Sequence, residues 1–226
     1  MKFTCGLSNN RGVSTAASSQ TAPVHPVISR PNTTTIGFVV WLASELMFFA
    51  ALFAMYFTIR SVAPDMWAAE TPKLEVPFAL VNTSILVLSS VTCQVGVHHA
   101  ERFKPSRPAG KSLFAIGQWG MIEWYFLSFL LGSVFVGGQV MEYATLVSEG
   151  VAINSNAYGS VFYLTTGFHG LHVIGGLIAF LFVIGRAYGA KRFGHRESTF
   201  AVCVSYYWHF VDIVWVALFA IIYLLQ

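Results

Sequence analysis

The sequence predicts an all-α polytopic membrane protein, a bundle of five transmembrane helices. Three observations carry that reading. Hydrophobic residues make up 55% of the 226 positions and charged residues only 10%, against about 25% charged in soluble domains. The apolar residues fall in five long blocks, each near the ~20 residues a helix needs to cross a bilayer. Inside those blocks ionisable residues are few, and each one marks a functional group or a polar contact with a neighbouring helix.

Residues 1–35 come first and read differently. They are rich in Ser, Thr, Asn and Ala, contain Pro23, Pro26 and Pro31, and hold no sustained apolar run. This composition predicts a mobile N-terminal tail. A signal peptide needs an apolar core of about 7–15 residues, so the first span is expected to act as its own insertion signal. The domain that follows, 36–226, holds all five spans.

The first span covers 36–59, with Glu45 as its charge. The second, 77–100, follows a loop with Pro64 and Pro72 and stays uncharged through His98. The third, 119–146, has Glu123 near its start and Glu142 near its end. The fourth, 158–187, carries no acid or strong base until Arg186, and the fifth runs over 200–225. Eleven of the thirteen Lys and Arg residues fall in the tail, the second-to-third loop and the fourth-to-fifth loop; Arg60 and Lys73 fall on the other side. Cytoplasmic segments hold the excess of basic residues, which predicts a cytoplasmic N-terminus and an external C-terminus.

Polar residues at membrane depth are the candidate functional groups. Glu45 and His209 each lie nine residues inside a span that begins on the tail side, about 13 Å deep at ~1.5 Å per residue. The two would meet if the first and fifth helices were neighbours. A carboxyl group at that depth is neutral or partnered, because desolvation penalises its charged form. It serves either as a proton-linked or lipid-contacting group or as a structural hydrogen bond of about 0.6–2 kcal/mol between helices. His209 and Asp212 share one helix face, three residues apart.

In the fourth span, His169 and His172 are one turn apart among Gly167, Gly170, Gly175 and Gly176. Two imidazoles do not complete a tetrahedral zinc site, although a haem could use one or two. The glycines favour close helix approach, with the histidines bonding across the contact. Gln139 and Glu142, with Tyr143, close the third span as headgroup-level anchors or helix-packing groups. His98, His99 and Arg102 end the second span, where they suit an anionic lipid headgroup or simply fix topology. Trp41, Trp119, Trp124 and Tyr143 fit an interfacial aromatic belt in part.

Cys5, Cys93 and Cys203 stand alone, and the latter two read as small apolar packers. No phosphate-binding glycine loop or nucleophile triad is present, and the short basic loops give no support for nucleic-acid binding.

The ordered stretches resemble one family. They are Ser44-Glu45-Leu46-Met47-Phe48-Phe49, Leu74 to Pro77 with Asn82-Thr83-Ser84, and His98-His99. Then come Gln139 with Glu142-Tyr143, Tyr158-Gly159-Ser160, Thr166 through Val173, and Trp208 through Trp215. Together, over 36–226, they resemble subunit III of the haem–copper oxidases, and of cytochrome c oxidase in particular. That resemblance implies an accessory subunit of an oxygen-reducing, proton-pumping translocase in aerobic respiration. Haems and copper belong to partner subunits I and II, and this chain is expected to hold no cofactor, metal or catalytic centre. The resemblance likewise implies packing on subunit I, bound phospholipid, and support of sustained proton uptake.

By position, Glu45 matches the family's buried carboxyl, and His209 and Asp212 match the polar pair of its last helix. The chain is similar to the short five-helix bacterial form, which places it in a bacterial plasma membrane. It lacks the two leading helices that form a lipid cleft in the longer form, and the tail has no assigned counterpart. A supercomplex with a cytochrome bc complex is left open. The alternatives are subunit III of a quinol oxidase, and a stand-alone transporter or proton channel using Glu45, Asp212 and the histidines.

Overall fold

The computed structural model describes residues 33–108, 116–189 and 193–225, all within one compact unit, Asn32–Gln226. Every regular element among them is helical. The first 32 residues of the expected tail lie outside the described residues, as does Cys5; the last three belong to the first helix. Five helices are long and apolar enough to cross a membrane, as the composition predicts. They are α1 (Thr33–Val62), α3 (Val76–Glu101), α4 (Met121–Ser148), α5 (Ala157–Gly189) and α6 (His195–Phe219), the last continuing as a π-helical turn over Ala220–Leu224.

A short α-helix, α2 (Pro64–Glu70), falls where the sequence predicts a loop. Pro64 sits at its first turn, where a fixed φ suits a helix and the missing N–H is not needed. Burial of Trp67 then holds it: the indole donates to the Tyr56 hydroxyl (3.2 Å) and meets Tyr56 and Tyr158 edge-on. The Asn156 side-chain amide donates to Glu70 (2.9 Å), tying α2 to the start of α5.

At two helix starts the cap sets the boundary rather than the apolar run. Hydropathy finds the first apolar residue, whereas the helix begins at its cap. The α6 helix starts five residues early, at His195, where the Glu197 carboxylate accepts from the Gly194 N–H (3.1 Å). At α4 the Glu123 carboxylate accepts from the cap N–H of Gly120 (3.0 Å), and it also accepts from the loop N–H of Arg107 (3.3 Å). The α4 helix ends in a Schellman turn. Gly150 has φ +85°, and bonds run from Val151 N–H to Leu146 C=O and from Gly150 N–H to Val147 C=O, which is the glycine-favoured exit.

In the bundle, α3 packs against α4 and α6, and α5 packs against α4 and α6. The α1 helix leans on α5 and α6 and is the least buried of the five spans. The centre of the packing is Trp208 on α6, fully buried beside Phe180. Its ring lies between two glycines. A Cβ at Gly176 would come 2.7 Å from the ring, and one at Gly132 would come 2.6 Å from it. Its indole N–H reaches Ser89 on α3 (3.0 Å), so α3, α4, α5 and α6 meet at one residue.

Further interhelical bonds run from Trp215 to Thr83 (2.9 Å), Tyr125 to the Ala201 carbonyl (2.9 Å), Asn82 to the Phe135 carbonyl (3.1 Å) and Tyr143 to Thr166 (2.8 Å). In lipid such packing and polar ties, rather than exclusion of water, hold helices together. Cys93 and Cys203 are free and buried, as their isolation in the sequence suggests.

Candidate functional site

The polar groups at membrane depth form separate stations along the helix contacts. The first joins α1 to α5. Glu45 Oε2 lies 3.2 Å from His172 Nε2, while His172 Nδ1 lies 2.7 Å from the Phe168 carbonyl. A carbonyl can only accept, so Nδ1 carries a hydrogen. The Nε2 contact must then hold one proton, either as a carboxylic acid facing neutral imidazole or as a carboxylate facing imidazolium. Phe48 and Phe49 pack on the imidazole, and the Tyr207 hydroxyl donates to the His172 carbonyl (3.0 Å). Trp41, expected in the interfacial belt, stacks on Tyr207. Both partners of the pair remain partly open to the outside of the bundle. The arrangement can hold one proton at membrane depth and pass it between two groups.

Glu45 and His209 therefore do not meet. One face of α1 carries Glu45 toward α5, and His209 turns to α3. There His209 Nε2 lies 3.1 Å from Gln94 Oε1, and Nδ1 contacts the Ser90 hydroxyl. Asp212, one turn further, is 5% exposed and also faces α3, lining a groove of ≈ 240 Å³ with Ser90 and Val87. Equal depth in two spans does not make two residues neighbours when their helices turn different faces inward.

The two histidines of the fourth span part company. His172 serves the Glu45 pair, and His169 is buried at the bundle centre. His169 rests against Trp215 (ring centroids 4.9 Å), with Phe135 and Phe49 at 6.2 and 6.3 Å. Neither of its ring nitrogens has a hydrogen-bond partner among the described residues, so the expected bond across a helix contact is not made at His169.

The glycines of the fourth span divide in the same way within this chain. A Cβ at Gly167 or Gly170 would meet nothing within 4 Å, whereas Gly175 and Gly176 approach Tyr207 and Trp208. Close approach therefore falls one to two turns later than the His-flanking pair.

Gln139 and Glu142 are 5% and 7% exposed and make contacts within the bundle. Glu142 accepts from the Tyr223 hydroxyl (2.6 Å) and from Gln139 (3.3 Å), joining α4 to the end of the last span. At the tail-side end of α3, His99 lines a cavity of ≈ 460 Å³ with Lys104 and Trp119. His98 and Arg102 lie exposed beside it.

Sequence reasoning did not single out Ser90, Gln94, Tyr207 or Tyr223. Hydroxyls and amides are common in such spans, and only their hydrogen bonds to a histidine, a helix carbonyl or a carboxylate mark these four.

This fold and these stations define a polytopic helical membrane protein in which Glu45, Glu142, His172 and His209 make polar contacts between helices. Comparison with known proteins gives the family. The family described as cytochrome c oxidase subunit III matches residues 13–226, and the chain belongs to that family. A "Probable cytochrome c oxidase subunit 3" of Nocardia farcinica is 50% identical over 95% of this chain and 98% of its own length. The "Cytochrome c oxidase subunit 3" of Corynebacterium diphtheriae is 46% identical over 88% of this chain and 91% of its own length. That of Thermostichus vulcanus is 34% identical, over 86% and 89%. Because the family match begins at residue 13, most of the tail falls inside it, contrary to the expectation that the tail has no counterpart.

Proposed function

We propose that this chain is the accessory subunit III of a proton-pumping cytochrome c oxidase in a bacterial plasma membrane. Its N-terminus is cytoplasmic, on the side of the basic loops, and its C-terminus is external. It packs beside subunits I and II, which carry the haems and copper; the chain itself holds no redox centre. It binds membrane phospholipid and keeps proton uptake by subunit I running through many turnovers. Membership of the family supports the subunit role, and its relatives, which are named as cytochrome c oxidase subunits, favour cytochrome c over quinol as donor.

The observation that carries the proton-linked part is the Glu45–His172 contact, which holds one proton about 18 Å along α1 from Thr33 at ~1.5 Å per residue. An acid–base pair at that depth, on the flank of an accessory subunit, suits a group that keeps protons available to a neighbour.

Removing this chain from the purified oxidase tests the reading. The depleted enzyme is expected to keep its haem spectrum and its initial rate of cytochrome c oxidation, but to lose activity severalfold sooner during continuous turnover. Equal lifetimes with and without the chain would remove the proposed role.

A further inference from the structure

We propose that the groove between α3 and α6 is the seat of a transmembrane helix from a partner oxidase subunit, one that presents a hydrogen-bond donor to Asp212. The inference rests on the proposed function and adds to it the face that docks. Asp212 is 95% buried by its own chain, being 5% exposed, yet neither carboxyl oxygen has a hydrogen-bond partner among the described residues. The Ser90 hydroxyl is near enough to be a candidate donor to the carboxyl, but its hydrogen-bond geometry is met by His209 Nδ1 instead. Gln94 Oε1 can only accept, so His209 Nε2 carries the hydrogen of that 3.1 Å contact. A neutral His209 then has only a lone pair at Nδ1, and the Ser90 proton is committed to it. Asp212 is left without a donor at the centre of a membrane span.

A buried polar group without a partner is expensive, more so in hydrocarbon, and is matched in functional assemblies. The groove that Asp212 lines holds ≈ 240 Å³ and is otherwise walled by Val87, Ser90, Ile213 and Val216. Ile213 is 69% exposed and Val216 47%, which gives an apolar rim around one polar point. Gln94 lies exposed on the same side, where contact with acyl chains would leave its amide unsatisfied. In either protonation state the carboxyl keeps an acceptor oxygen. Its complement is therefore a donor (hydroxyl, amide, indole or cation) on a helix slim enough to enter the groove.

Benzoylphenylalanine placed at Ile213, on the rim, tests this in intact membranes. Illumination is expected to join this chain to another oxidase polypeptide, at a transmembrane peptide with a donor side chain. Adducts with lipid alone, with a second copy of this chain, or none with protein would overturn the proposal. In a second arm, Asp212→Asn keeps an acceptor and is expected to stay in the detergent-solubilised oxidase. Asp212→Leu is expected to dissociate about three- to twentyfold more readily, the weight of one intramembrane hydrogen bond. Equal retention of the two variants would also overturn it. Cytochrome c turnover of the same preparation reports separately on whether the chain is an oxidase subunit at all.

Discussion

Gly176→Leu is expected to remove this chain from the membrane complex, while Gly170→Ala is expected to leave its level unchanged. The two glycines sit in the same run of α5 and differ only in what faces them. At Gly176 a Cβ would come 2.7 Å from Trp208, and the ring has no room to shift toward α4, because it already lies where a Cβ at Gly132 would come 2.6 Å from it. Trp208 is also held by Ser89 and by Phe180. Relief requires moving α5 away from α6, which breaks contacts on four helices together. Overpacking a tightly packed contact costs about 1–3 kcal/mol and occasionally more, at the upper end roughly a hundredfold in the correctly packed fraction. Gly170 has open space where its Cβ would go, so alanine there adds only helix propensity. Immunoblots of purified oxidase read both outcomes. Normal incorporation of Gly176→Leu would show that Trp208 is not the clamp described.

The second large effect is expected at Glu45, where two variants separate a structural bond from a proton-holding one. In Glu45→Gln the amide can still donate to His172 Nε2, so α1 stays tied to α5, but the shared proton is gone. In Glu45→Leu both are gone. A purely structural contact predicts that Gln behaves as the parent and Leu loosens α1 by about 0.6–2 kcal/mol. The proposed function predicts that both variants keep their haem content and both lose active lifetime severalfold during continuous cytochrome c oxidation. Only Leu should also lose the subunit on detergent extraction. A Gln variant with parental lifetime would reduce Glu45 to a helix tie.

Much of this was legible in the chain. Five apolar blocks gave five spans, because length and hydropathy are properties of a segment alone. The residues at membrane depth were also visible, since an acid such as Glu45 or Asp212 stands out against lipid-compatible neighbours. Their pairing was not. Which face of α1 or α6 turns inward depends on side chains from other helices, so Glu45 finds His172 rather than His209, and Asp212 finds a groove. The short α2 was invisible to hydropathy because one buried tryptophan, not a periodic pattern, holds it. Composition does not rank the glycines; only the position of Trp208 identifies Gly176 and Gly132 as the close contacts within this chain.

The most direct test of the central claim is purification of the tagged chain in mild detergent, with a reduced-minus-oxidised spectrum and a cytochrome c oxidation assay on the eluate. Membership of a working oxidase predicts a haem-bearing larger subunit and a copper-bearing subunit in the same fraction, with cytochrome c turnover. A colourless, partner-free chain, from a preparation in which the other oxidase subunits stay together, would contradict it.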